Sequence, residues 1–307
     1  MKILFIASYN RGCFAPFVTE QVDALRCVGC EVECFGVVGK GVIGYLKAFV
    51  ALKKKIVLFK PDVLHAHYGL CGLLANLQRP VPVVTTYHGS DINVPRVLLL
   101  SHLAMKMSAW NIYVSKKNLE LAKPSKSNYS LIPCGIDLYE KNEDDIVAIK
   151  KQLGWSNQKK YVLFAGAFDN RVKNAPLAKA AVALLNDVVL IELKGYSRAQ
   201  VVALLYSVDA FLMTSFTEGS PQIIKEAMSC GCPIVSVDVG DVKERISGLQ
   251  GCFLAERTPQ DIADKIKQAI SFGVPTKGRE RIVESNLTND LVAKQLIEIY
   301  SKVKNNG

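Results

Sequence analysis

Two glutamates, Glu218 and Glu226, stand eight positions apart in the run TSFTEGSPQIIKEAM. A helix start falls between them: Ser220 suits an N-cap, Pro221 the first helical position, and Gly231 a stop. One carboxylate therefore belongs to a loop and the other to the helix behind it, roughly 7 Å along the axis from Pro221 at 1.5 Å per residue. The free N–H groups and positive dipole end of such a helix favour an anion, and Gly219 lets the backbone approach it closely. A diphosphate bound there would leave Glu226 within reach of a neighbouring ribose hydroxyl. The spacing alone fits an ordinary capped helix with a solvated glutamate equally well.

A second cluster lies in AFDNRVKN, where Arg171 and Lys173 follow an apolar strand. Arg presents a two-pronged donor and Lys a point charge, and both suit a diphosphate, although a solvated basic loop has the same composition. His65 and His67 are two apart on a strand and share a face, while His88 opens the short polar loop His88-Gly89-Ser90-Asp91. His88 is the histidine placed to meet a substrate. His65 and His67 read as strand-end hydrogen bonders, and no carboxylate stands at metal-ligand spacing to complete a zinc site. Asp91 either faces a ligand or caps the next helix.

These residues need a scaffold, and the hydrophobic pattern supplies one. KILFIAS is a buried strand, followed by a loop through Gly12 to Pro16 and an amphipathic helix over 17–28. Strands EVECFGVV, DVLHAHY, VPVVTTY, NIYVS and YSLIP then follow, the first four separated by helices that include 42–59 and 94–107. The stretch Pro133-Cys134-Gly135-Ile136-Asp137 with the charged KNEDD run marks a boundary. Beyond it the alternation restarts with KKYVLFAG, DVVLIEL, DAFLMTS and PIVSVDV, and a helix from Asp290 closes the chain. Such alternation predicts two Rossmann-like, doubly wound parallel sheets whose ligands lie beyond the C-terminal strand ends. The expected domains are 1–137, 138–289 and a closing helix 290–307.

Gly39-Lys40-Gly41-Val42-Ile43-Gly44 is a literal GxGxxG, but it follows the second strand rather than the first. The next acid, Asp62, opens a strand where a ribose ligand would need it to close one, so a nicotinamide or flavin site is not expected. The helix after it carries Lys47, Lys53, Lys54, Lys55 and Lys60, a pattern shared by a sheet-covering helix with a solvated face and by a helix lying on anionic lipid.

The 307 residues suffice for two cores, and half of them are apolar. A net charge of +10 points to acidic company, such as sugar nucleotides or anionic lipid. Nucleic acid is not expected, because no basic patch interleaved with aromatics recurs. Nine cysteines without a recognisable signal peptide or membrane span imply reduced thiols and a cytoplasmic setting.

The sequence resembles a family 4 glycosyltransferase of the GT-B fold. The likeness rests on the E-x7-E pair Glu218 and Glu226 followed by EAMSCGCPIVSVDVG, and on PDVLHAHYG, HGSD, LIPCGID and FAG…VKN. It covers nearly the whole chain. It implies a nucleotide-sugar cleft between the two domains, with the donor on the C-terminal domain, the acceptor on the N-terminal one, and the last helix packing back across. Glu226 is then the ribose ligand, Glu218 the residue for the donor-sugar hydroxyls, and Gly219, Ser220 and Pro221 the phosphate-binding backbone beside Gly166. Lys173 matches the phosphate lysine and His88 the histidine that contacts the donor sugar. Gly12, His67 and Asp91 fall on the acceptor side.

One departure is Ala167, where the family usually carries Arg; Arg171 is the candidate substitute. At 307 residues the chain is also short for the family. The resemblance implies a retaining transfer to a saccharide or lipid-linked saccharide, in cell-surface polysaccharide synthesis. No cofactor or metal is expected, since no DxD motif occurs. A sugar-nucleotide epimerase or hydrolase, and a non-catalytic sugar-nucleotide-binding subunit, are the alternatives.

Overall fold

The computed structural model describes residues 1–10, 12–39 and 41–305, with the backbone alone at 41–43, 45 and 46. Lys40 of the GxGxxG run and the last two residues of the closing segment lie outside the described residues. The chain divides into two units, Met1–Gly135 with Leu287–Gly307, and Ile136–Asn286.

The first unit runs β1 (Lys2–Ser8), α1 (Pro16–Cys27), β2 (Glu31–Val37), α2 (Gly41–Phe59), β3 (Val63–His67), α3 (Gly69–Asn76), β4 (Val83–Tyr87), α4 (Ser90–Asn93), α5 (Pro95–Met107), β5 (Trp110–Tyr113), α6 (Lys116–Ala122) and β6 (Tyr129–Leu131). All six strands are parallel, in the order β2-β1-β3-β4-β5-β6. Alternate residues of β1 feed two separate cores. Ile3, Phe5 and Ala7 pack with α1, and Leu4 and Ile6 pack with α2 and α3. Helix α3 sits tightly on the sheet, because a methyl group on Gly72 would come within 2.5 Å of Thr85.

The second unit runs α7 (Glu143–Gln152), β7 (Lys160–Phe164), a 3-10 turn (Arg171–Lys173), α8 (Ala175–Val182), β8 (Val188–Glu192), α9 (Arg198–Ser207), β9 (Ala210–Met213), α10 (Gln222–Ser229), β10 (Ile234–Val237), α11 (Val242–Ile246), β11 (Cys252–Ala255), α12 (Pro259–Phe272) and α13 (Gly278–Glu284). Its parallel sheet has the order β11-β10-β9-β7-β8. Helix α14 (Asn289–Asn305) then returns to the first unit. Its Leu296, Ile299, Tyr300 and Val303 join Phe5, Val22 and Leu25, and the Tyr300 hydroxyl meets His65 Nδ1 at 2.6 Å.

Both sheets reverse direction beside their first strand, between β1 and β3 and between β7 and β9. In open α/β sheets such reversals leave a crevice at the carboxyl ends of the two strands.

Several elements differ from expectation. The KNEDD run after the boundary opens α7, whose N-cap Asn142 side chain accepts from the amides of Asp144 and Asp145. Its three acids there complement the helix dipole. The helix expected over 94–107 forms as α5, with Val94 as its extended N-cap ahead of Pro95, and the separate four-residue helix α4 precedes it. Helices α6, α11 and α13 were not anticipated; at seven residues or fewer each is too short to display helical periodicity.

Candidate active site

In the second unit the loops after β7 and β9 meet at the switch point. The turn after β7 carries Lys173, and its Nζ lies 2.7 Å from Glu218 Oε1 in the loop after β9, with both side chains about one-fifth exposed. Backbone contacts fix the loops together. The Thr214 hydroxyl donates to the carbonyls of Lys173 and Asn174 at 2.9 and 3.0 Å, and the Phe216 amide donates to the Val172 carbonyl at 2.9 Å.

Gly166 matters because of what lies over it. A Cβ there would stand 2.9 Å from Lys173 Cγ, so the missing side chain is the channel along which the lysine stem runs. Gly240 plays the matching part for the other loop, since a Cβ on it would come within 2.4 Å of the Gly219 carbonyl. Arg171, proposed as a substitute for the family Arg, is exposed on the same turn.

Helix α10 starts one residue later than its sequence suggests. Pro221 occupies the N-cap position without a side-chain bond, and Ser220 does not cap. Its hydroxyl donates instead to Asp241 Oδ2 at 2.8 Å, and Asp241 also receives Arg245 Nε at 2.8 Å. The Ser220 hydroxyl thus serves as a donor to a buried carboxylate, whereas a cap would use its oxygen as an acceptor for a helix amide.

Glu226 is buried on α10 and paired with Arg198 Nη1 at 2.7 Å. The Arg198 guanidinium lies over the Tyr139 ring and donates to its hydroxyl. Arg198, Asp241 and Thr214 were not among the sequence candidates. The signal for Arg198 was present: a capping box from Ser197 to Gln200 fixes the start of α9 just after β8, at the carboxyl edge of the sheet.

In the first unit, a cavity of about 610 Å³ opens at the carboxyl ends of β1, β3 and β4, lined in part by Ser8, Asn10, Phe14, Tyr68, Ser90 and Asp91. Gly12 turns the loop beside it with φ at +75°, its amide donating to the Tyr9 carbonyl. Asp91 lies within α4, where its carboxylate accepts from the amides of Gly69, His88 and Gly89 at 3.1, 3.0 and 2.8 Å. It thereby ties the turns after β3 and β4 together. Burial pushes it up to about 6, against the pull of those amides.

His67 is fully buried and does not line the cavity; its Nδ1 lies 2.9 Å from His88 Nε2. His65 stacks on His67, with His65 Nε2 at 2.8 Å from the Thr86 hydroxyl. Among the described residues, no group of three or more His, Cys, Asp or Glu is arranged to hold a metal ion.

The comparisons with known proteins fall on both units. Residues 14–140 match the family described as glycosyltransferase family 4, and residues 148–271 the one described as glycosyl transferases group 1. The chain is family 4-like in both units. Among curated relatives, this family 4-like chain is 26% identical to TuaC of Bacillus subtilis, a protein named for teichuronic acid biosynthesis, over 67% of the chain and 60% of the relative. It is 25% identical to an N-acetyl-alpha-D-glucosaminyl L-malate synthase of Bacillus anthracis, over 64% of the chain and 61% of the relative. The matches thus span about three-fifths of those relatives' length.

The fold is that of a sucrose-phosphate synthase from Thermosynechococcus elongatus, with a TM-score of 0.81 at 18% identity over the whole of both chains. HepE of Anabaena, solved in complex with UDP, gives 0.78 at 18% identity over 98% of this chain and all of that one.

Burial gives the histidine column a measurable pH signature. Desolvation holds His67 at about 3, and desolvation with the nearby His67 and His88 holds His65 well below the usual 6.5. Both are neutral when folded and take up protons on unfolding below 6.5, so their contribution is complete above that pH and is lost as pH falls. His67→Asn removes one of these protons. Relative to the parent, the variant should gain about 1.4 kcal/mol of stability for each pH unit below 6.5. Denaturant titrations between about pH 5 and 7 measure this, and a difference that does not change with pH contradicts it.

Proposed function

We propose that this chain is a retaining, metal-independent glycosyltransferase that moves a sugar from a nucleotide-diphosphate donor to a saccharide or lipid-linked saccharide. The observation that carries the reading is the Lys173–Glu218 pair over Gly166, at the carboxyl ends of β7 and β9. An ammonium held there beside the backbone of Gly219–Pro221 suits a diphosphate, and Glu218 is an acceptor for sugar hydroxyls once the phosphate takes its place at the lysine. Glu226 serves the ribose, with Arg198 as its resting partner.

In the transfer, the bond from the sugar's anomeric carbon to the diphosphate breaks. The bond to the acceptor oxygen forms on the same face, and a leaving phosphate oxygen takes the acceptor's proton. Lys173, Arg171 and the N-terminal end of α10 offset the charge that develops on the leaving group. His88 meets the donor sugar, and the first-unit cavity takes the acceptor. A relative named for teichuronic acid supports cell-surface polysaccharide as the setting, and the UDP complex of HepE supports a nucleotide-sugar donor.

Helix α2 adds a second part to this reading. No helix among the described residues is long and apolar enough to cross a membrane. Yet α2 exposes Val50, Val57 and Leu58 together with Lys47, Lys53 and Lys54, the composition of a helix that rests on anionic headgroups.

Lys173→Ala and Glu226→Ala should each lower turnover of the cognate nucleotide sugar by about a hundredfold or more. Turnover in the parent should persist in excess chelator. Near-parental activity in either variant, or a chelator effect reversed by a divalent cation, contradicts the assignment.

Sedimentation with vesicles of mixed neutral and anionic phospholipid tests α2. The parent should bind at low salt, and Lys53→Glu with Lys54→Glu should release it. Equal recovery of both proteins in the supernatant removes the membrane from the proposal.

A further inference from the structure

His88 is a substrate contact in the function proposed above, and its ring is held from behind. Its Nε2 lies 2.9 Å from Nδ1 of the fully buried His67, and its Nδ1 lies 3.7 Å from Sγ of Cys134, which is itself buried. Three aromatic rings fix its plane. Phe17, Tyr68 and His67 have centroids 4.6, 4.7 and 5.1 Å from that of His88, and His67 stacks nearly parallel at 23°.

Two proton arrangements fit these contacts. If the Cys134 thiol donates to His88 Nδ1 and His88 Nε2–H donates to His67, then His67 must carry its remaining proton on Nε2. That atom is buried and has no hydrogen-bond partner. A buried N–H left unpaired is among the rarest and costliest features of a fold. The opposite arrangement avoids it, because His67 Nδ1–H donates to His88 Nε2, His88 Nδ1–H donates to the sulfur, and His67 Nε2 bears only a lone pair.

We propose that His67 and Cys134 are positioning residues for the transfer, holding the His88 imidazole neutral, in its Nδ1–H tautomer, with both ring nitrogens engaged by protein. The inference rests on the reading of His88 as a substrate contact. It adds that His88 does not deliver a ring proton to substrate: it acts as a fixed, uncharged wall of the donor site, and Cys134 sets its angle.

The chain has four histidines, and the fourth, His102, is engaged elsewhere with the Ala122 carbonyl, so ring-nitrogen spectra of histidine-labelled protein are simple to assign. In the parent, His88 should show a single neutral tautomer with the proton on Nδ1. Cys134→Ala should turn this into a mixture and lower kcat by about tenfold, the scale expected from misplacing a positioned group, with KM for the nucleotide sugar changed less than twofold. Cys134→Ser, which keeps an acceptor, should restore both readings. His67→Asn, which keeps a donor nitrogen near the place of Nδ1, should behave like the parent, whereas His67→Leu should behave like Cys134→Ala.

A His88 spectrum unchanged in Cys134→Ala overturns the proposal, as does an altered spectrum with unaltered kcat. If His88→Ala keeps parental turnover, the contact role of His88 falls, and with it the positioning role. If the parent turns over no nucleotide sugar, the transferase reading fails, and the Cys134→Ala spectrum alone then decides whether the thiol holds the ring.

Discussion

An ammonium and a carboxylate 2.7 Å apart, each mostly shielded from water, join the two loops at the switch point of the second sheet. Taking both charges out of water costs nearly what their attraction returns, so the Lys173–Glu218 pair contributes little net stability. Its consequence is geometric. The lysine stem lies where Gly166 has no side chain, the loop bearing Glu218 is pressed against Gly240, and Thr214 fastens the two loops by their carbonyls. In the function proposed above, a diphosphate takes the place of Glu218 at the ammonium, and the displaced carboxylate becomes an acceptor beside the ligand's sugar. The Arg198–Glu226 pair is a second cation–carboxylate contact one helix away, and the same proposal gives its carboxylate the ribose hydroxyls.

The first unit handles charge in the opposite way. Its carboxyl edge carries a column of stacked rings, His65, His67 and His88, anchored at one end by Tyr300 of the returning helix α14 and at the other by Cys134. Among the described residues, Asp91 is the one carboxylate lining the cavity, and its oxygens accept from three backbone amides.

The strand and helix alternation was legible because each sheet is built of short buried strands with amphipathic covers, and periodicity reports burial. The loops bearing Lys173 and Glu218 were legible for the same reason, since each follows a buried strand at a predictable edge. Ser220 does not cap α10, and local spacing cannot reveal Asp241, which lies 21 residues away and accepts from its hydroxyl. Arg198 was missed because its partner is contributed by a different helix. His67 was placed at the acceptor side from its position on the strand. The fold directs it into the column behind His88, an outcome set by the packing of α1 and α14 on that face. The Gly39–Gly44 run has a plain structural reason, because a Cβ on Gly39 would meet the Gly44 backbone at 2.9 Å.

The central claim is that a diphosphate replaces Glu218 at Lys173, and titration calorimetry of UDP and the other nucleoside diphosphates into Glu218→Gln and Lys173→Ala tests it most directly. Removing the competing charge should leave nucleoside diphosphate binding to Glu218→Gln as tight as in the parent or tighter, while Lys173→Ala should weaken it by about tenfold or more. Equal weakening in both variants, or no change in Lys173→Ala, would contradict the account.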